Sequence, residues 1–299
     1  MIEFPSDEEI LEFACVQRIG EADVVLRDLA RIATIFHLQD AGFFDRDTVL
    51  AGGMALRCYG GHRFTVTDVD TSTNERVALG RLDAHLNWEI EGELVVRTMG
   101  VGWYQKAVDL EKAKPILFEP LFSEIALTEG QAQFELTVNM RGLDLPPVER
   151  GFRHDFPWAL GIEGRDVPLM DPREMLAEKV VGYCVNVLGK HYADVAFLAF
   201  GFQGLMSAHK ASLRSLAETK LERGREVAAR GGPAGRELYA RVPNYAALRA
   251  PLEEPERHLV TAEFGREVRF VVSEDGKGAI RLRRAKQIVR QLVIPWLFD

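Results

Sequence analysis

Apolar residues recur at helical spacing through Glu21–Gln39, at Val25, Leu26, Leu29, Ile32, Ala33 and Phe36, and predict an amphipathic helix. Ahead of it, Ser6 followed by Asp7, Glu8 and Glu9 reads as an N-cap with an acidic first turn, opening a helix through about Gln17. The period then changes. Val49, Leu50 and Ala51 read as a short strand, followed by Gly52-Gly53, a helical turn or two, and a second strand ending in Asp68-Val69-Asp70. Asn74 stands where it can cap a helix from Glu75 to about Trp88, with Leu79, Leu82 and Leu86 on its apolar face. Glu93–Met99 and Ala132–Met140 read as strands, the latter with Phe134, Leu136 and Val138 on one side and Gln133, Glu135, Thr137 and Asn139 on the other. Pro115–Leu127 fits a broken strand or an irregular edge, since Pro120 cannot sit in a central strand.

The second half has a different texture. Leu145-Pro146-Pro147 and the stretch Glu149–Gly164 read as a connector, and Val167–Met170 as a short strand. Asp171-Pro172-Arg173-Glu174 then announces a helix to about Leu188, with Asp as N-cap, Pro at the first helical position and Glu three residues after the cap. Gly189 is expected to turn the chain and Asp194 to lie early in the next helix, so that Lys179 and Asp194 meet at one end of an antiparallel pair. Beyond this the chain reads as mostly helical. At Glu274-Asp275-Gly276, flanked by Glu267–Val272 and Ala279–Leu282, a β-hairpin and a helix break both remain open. Two domains follow from the pattern, 1–165 built on a sheet and 166–299 mainly helical.

Composition narrows the class. The 299 residues suffice for one large domain or two ordinary ones, and 47% hydrophobic with 27% charged residues is the balance of a soluble globular protein. No apolar run approaches the roughly 20 residues of a membrane helix, and the acidic start MIEFPSDEEILEF lacks the basic region of a secretory signal, so a cytoplasmic protein is expected. Cys15, Cys58 and Cys184 form no C-x-x-C pair and read as small buried hydrophobes in a reducing compartment. A net charge of −8 argues against indiscriminate nucleic-acid binding. Basic residues nevertheless gather late in the chain, at Arg214, Lys220, Arg223, Arg225, Arg230 and Arg236, then Arg281, Arg283, Arg284, Lys286 and Arg290. They read as solvated helix faces or as a surface for a polyanion such as RNA.

The chemistry concentrates in Val49–Ser72. A glycine pair between a strand and a helix N-terminus lets the backbone approach a ligand, and the helix N–H groups favour an anion such as phosphate. Carboxylates at i and i+2 on a strand share a face and can both hold a cation. Gly52-Gly53 with Asp68 and Asp70 thus point to a metal-bound nucleoside triphosphate.

This order of strand, glycine pair, helix, strand and D-x-D resembles the DNA polymerase beta-like nucleotidyltransferase superfamily. With VPLMDPREMLAEKV and GKHYADVAFL, it is similar to the AbiEii/AbiGii (MenT-like) nucleotidyltransferase toxins from about Leu50 to Phe200. The resemblance implies an α+β fold, with a nucleotidyltransferase-type mixed or antiparallel sheet flanked by helices and a mainly helical C-terminal domain contributing Lys179 and Asp194 to a shared cleft. It assigns Gly52 and Gly53 to the nucleotide's phosphates, Asp68 and Asp70 to Mg²⁺, Lys179 to the A-E-K lysine and Asp194 to the first aspartate of R-D-x-x-D. One extra residue between Arg63 and Asp68 leaves Thr65 and Thr67 both open as the hydroxyl near the metal. Met54, Ala193 and Phe197 depart from the family pattern, Lys190 is available to replace the missing Arg charge, and Glu135 is the best candidate for a third carboxylate. The implied activity is Mg²⁺-dependent transfer of NMP from an NTP to an RNA acceptor, the tRNA 3′ end being the candidate, by a toxin with a cognate antitoxin. A degenerate fold that only binds nucleotide or a protein partner is an alternative, and a D-x-D glycosyltransferase a more remote one.

Overall fold

Ser6 opens the first helix by accepting a hydrogen bond from the Glu9 backbone while the Glu9 carboxylate takes the Ser6 N–H, a complete capping box. The structure is a computed structural model that describes residues 2–17, 19, 21–60, 62–63, 68–74, 78–100, 102–106, 111–128, 130–140, 142–154, 156–230, 233–259, 264, 271–272 and 280–299. Its residues divide into two compact units, one formed by Met1–Lys106 and Glu111–Leu169, the other containing Met170–Asp299.

The first unit carries helices α1 (Asp7–Val16), α2 (Asp23–Asp40), α3 (Gly52–Cys58) and α4 (Ala78–Asp83). Its strands are β1 (Thr48–Leu50), β2 (His62–Arg63), β3 (Asp68–Thr73), β4 (Trp88–Ile90), β5 (Leu94–Thr98), β6 (Tyr104–Gln105), β7 (Glu111–Pro120), β8 (Gln133–Asn139), β9 (Val148–Gly151) and β10 (Asp166–Leu169). The main sheet runs β4-β5-β7-β8-β3-β1-β10-β9, with β6 also paired to β7. It is mixed: β3 lies parallel to β8 and β1 parallel to β10, and the other pairings are antiparallel. The amphipathic stripe of α2 is buried, and the helix packs across β3, β5, β7 and β8.

Several expectations are corrected here. The D-x-D strand does not end at Asp70; it begins at Asp68 and runs to Thr73, carried onward by the buried Thr71, Ser72 and Thr73. The helix expected over 75–88 is described only as Ala78–Asp83, and Trp88 already opens β4. The proposed connector contains β9, which pairs along its whole length with β10. Pro115–Leu127 is not a broken edge: Glu111–Pro120 forms a ten-residue strand flanked on both sides. Pro115 is tolerated because pairing with β5 stops at Ile116 and pairing with β6 begins at Ala113, so the ladder has a gap where an N–H would be missing.

The second unit opens with α5 (Pro172–Asn186), capped by Asp171, and continues through α6 (Gly189–Gly201), α7 (Gln203–Ala208), α8 (Lys210–Arg230), α9 (Pro233–Ala240) and α10 (Arg249–Glu253). A last helix, Leu282–Ile288, passes through a π-helical turn at Val289–Val293 into Ile294–Leu297. The turn between α5 and α6 is made by Val187 in the left-handed region (φ 48°), whereas Gly189 is already helical. Tyr183 and Tyr192 donate to the Pro251 and Leu252 carbonyls at 3.2 and 2.9 Å, pinning α10 to α5 and α6. The stretch around Glu274–Gly276, where a hairpin and a helix break both stood open, lies almost wholly outside the described residues, and Leu282 begins a helix. Cys58 and Cys184 are buried as expected, but Cys15 is exposed on α1.

Candidate active site

Helix α3 follows β1 directly, and the intervening residue makes the join to the carboxylate strand: the Ala51 N–H donates to the Asp70 carbonyl at 2.8 Å. Gly52 then takes φ +60°, and a Cβ placed on it would overlap the Asp70 carboxylate. A side chain at this position is excluded twice, by backbone conformation and by lack of space. The glycine pair and the D-x-D motif, 16 residues apart from Gly52 to Asp68 in the sequence, are therefore one local structure. Two buried cations support it from below. Arg57 of α3 and Arg31 of α2 share the buried Asp28, Arg31 at 3.2 Å, and Arg57 also lies over the Phe156 ring at 5.6 Å. Burial pushes the Arg31 guanidinium down to about 10, against the pull of Asp28.

Asp68 and Asp70 are both partly exposed, with the fully buried Val69 between them, as alternation requires. Across the parallel ladder Asp68 stands opposite Glu135. The Lys106 ammonium lies between those two, 2.8 Å from a Glu135 oxygen and 3.7 Å from an Asp68 oxygen, and the Tyr104 hydroxyl donates to the other Glu135 oxygen. Burial alone would raise the Glu135 carboxyl, but hydrogen bonds from Lys106 and Tyr104 hold it below its usual range. Tyr104 itself is pushed up to about 12, by burial first and by its bond to Glu135 second. For Lys106, burial works against the charge, and Asp68, Glu135 and Asp70 more than reverse it, so the ammonium is held above its ordinary range. Neither Lys106 nor Tyr104 stands out in the sequence, because both sit in a short segment without a periodic pattern. Thr65 and Thr67 lie outside the described residues.

The remaining candidates belong to the second unit. Lys179 of α5 and Asp194 of α6 form a 2.9 Å ion pair, with Asp194 buried. Asp194 lies in the second turn of α6 and is not its N-cap, a position held by Leu188. Next to Lys179, Glu178 forms an ion pair with Lys220 of α8 at 3.2 Å, and Lys220 also pairs with the buried Glu174. This removes Lys220 from the expected basic surface. Arg214 donates to the Leu297 carbonyl, Lys286 pairs with Glu256, and Arg290 donates to the Glu253 carbonyl, so much of that charge is engaged within the fold. Met54 and Ala193, two of the departures from the family pattern, are fully buried side chains.

Among the described residues no three His, Cys, Asp or Glu side chains are grouped as a metal cage. The donor set still suits a hard cation. Asp68 and Glu135 offer carboxylate oxygens to one positive group already, and Mg²⁺ is commonly held by one or two carboxylates with its remaining positions left to water and phosphate. A cavity of about 470 Å³ elsewhere in this unit is lined by Val95, Arg97, Leu117, Glu119 and Ser123 among others, and none of the carboxylate cluster lines it.

A strand, a positive-φ glycine, a helix and a neighbouring strand with paired aspartates, the second of which lies against that glycine, define a nucleotidyltransferase arrangement. A protein-family model described as "Nucleotidyl transferase AbiEii toxin, Type IV TA system" matches residues 36–268, and the chain belongs to that family of nucleotidyltransferases. Among solved structures it is similar to the nucleotidyltransferase toxin MenT4 of Mycobacterium tuberculosis H37Rv, at 19% identity and a TM-score of 0.60, over 97% of this chain and 91% of that one. JHP933 of Helicobacter pylori matches more loosely, at 14% identity and a TM-score of 0.33, over 74% of this chain and 93% of that one. Comparison with curated proteins gives no match.

Proposed function

We infer that this toxin nucleotidyltransferase transfers a nucleoside monophosphate from an NTP to an RNA hydroxyl, with the tRNA 3′ end as acceptor, and releases pyrophosphate. The reading rests above all on Gly52, held without a side chain against the Asp70 carboxylate, which joins the anion-facing turn to the cation-facing strand. Asp68 and Asp70, with Glu135 beside them, would hold Mg²⁺. A cation held there would supply Lewis-acid charge neutralisation at the phosphates and to the attacking hydroxyl. Gly52 and Gly53 give the β- and γ-phosphates access to backbone N–H groups without steric obstruction. By the family resemblance Lys179, ion-paired with Asp194, would be the lysine that neutralises charge growing on the leaving phosphates. As the acceptor oxygen bonds to the α-phosphorus, the bond from that phosphorus to the oxygen bridging to the β-phosphate breaks, pyrophosphate leaves with that oxygen, and the hydroxyl proton passes to solvent. A cognate antitoxin partner and a cytoplasmic setting belong to the same reading. Among the described residues no helix is long and apolar enough to cross a membrane.

Incubation with each α-labelled NTP, Mg²⁺ and total RNA tests this directly. Label should appear on RNA, with one nucleotide preferred. Asp68→Ala should lower the yield by at least about a hundredfold while circular dichroism stays unchanged. Full activity in that variant would remove Asp68 from its assigned role.

A further inference from the structure

The carboxylate cluster already holds a cation of its own. Lys106 closes the two-residue strand β6, where its backbone N–H donates to the Glu111 carbonyl at 2.9 Å, and its ammonium reaches Glu135 and Asp68. Asp70 adds to the negative field on the same amine. Three carboxylates on adjacent positions of β3 and β8 repel one another, and one ammonium placed among them relieves that repulsion. A divalent cation drawing on Asp68 and Glu135 competes with the ammonium for the same two carboxylates. The Lys side chain is a compact charge on a flexible stem and is only partly buried here, so it can withdraw into solvent once a divalent cation takes over the carboxylates' charge.

We propose that Lys106 is a resident counter-cation of the active-site carboxylates, which occupies their oxygens in the metal-free protein and must be displaced for a divalent metal to bind. The proposal rests on the reading of Asp68 as a metal ligand. Lys106 is thus a positioning residue: it keeps the cluster assembled without metal and sets a threshold for loading it. A purely structural salt bridge would affect stability and leave metal affinity alone, which separates the two roles.

The experiment is Mn²⁺ binding to the full chain without nucleotide, followed by electron paramagnetic resonance of the free ion. Wild type, Lys106→Met and Lys106→Arg are compared, with Lys106→Gln as a second neutral variant should Met fold poorly. The neutral variants should bind Mn²⁺ roughly tenfold tighter than wild type, and Arg should stay close to wild type. In metal-free buffer the neutral variants should melt at lower temperature, and Mn²⁺ should raise their Tm more than it raises that of wild type. Adding Asp68→Asn to Lys106→Met should abolish the gain. Equal Mn²⁺ affinity in wild type and the neutral variants would overturn the role of Lys106 alone. No Mn²⁺ binding by any of them, with or without NTP, would overturn the metal assignment and this proposal together.

Discussion

Gly52 shows how much one position can carry. An alanine there would sit at φ +60°, a conformation costing a non-glycine residue about 1 kcal/mol or more, and its methyl group would have to displace the Asp70 carboxylate. Gly52→Ala is therefore expected to lower nucleotidyl transfer at least about tenfold and to reduce Tm by several degrees, checked by the labelled-NTP assay and by calorimetry on the same preparation. The glycine turn at Gly52 and the shared face of Asp68 and Asp70 are legible from spacing, because a turn glycine and an i, i+2 carboxylate pair leave a linear signature. Lys106 and Tyr104 left none. They reach Glu135 across the β6–β7–β8 pairings, and no local pattern encodes a contact made through three strands.

At the scale of elements, helix docking in the second unit turns on buried charge. Lys220 of α8 satisfies Glu174 and Glu178 of α5, and replacing it by alanine leaves a fully buried carboxylate without that partner. Lys220→Ala should cost about 3 kcal/mol in denaturant unfolding, far more than the loss of an exposed lysine. Local signals were read well where they were self-contained: the Ser6–Glu9 capping box, the Asp171 cap and the stripe of α2 all form as the sequence implies. They misled where tertiary pairing decides. Val148–Gly151 has no strong alternation and becomes a strand because β10 lies beside it, and Pro115 sits inside β7 because its neighbours leave a gap. The turn after α5 falls on Val187 and not on Gly189, a strained choice for a β-branched residue that the sequence does not announce.

For the molecule as a whole, acid sets the clearest limit on stability. Glu163 is held down to about 2, chiefly by the Leu160 N–H, and Glu9 is lowered by the Ser6 backbone and hydroxyl; Glu135 is lowered as well. Glu149 moves the other way, raised by burial and by Asp166. A carboxyl with a depressed folded pKa stabilises the fold above its unfolded value, and that contribution is lost as pH falls through the folded one. Tm should thus decline as pH drops from about 4.5 toward about 2, and Glu163→Gln should make the decline shallower in a thermal-melt series. The gap at Pro115 has a consequence of a different kind. Among the described residues, β6 meets β7 at two residue pairs and does not continue into β5, so few ladder contacts and the bonds of Tyr104 and Lys106 to Glu135 hold this strip in place. A sparsely paired strand thus ends in the two side chains that hold the Glu135 carboxylate.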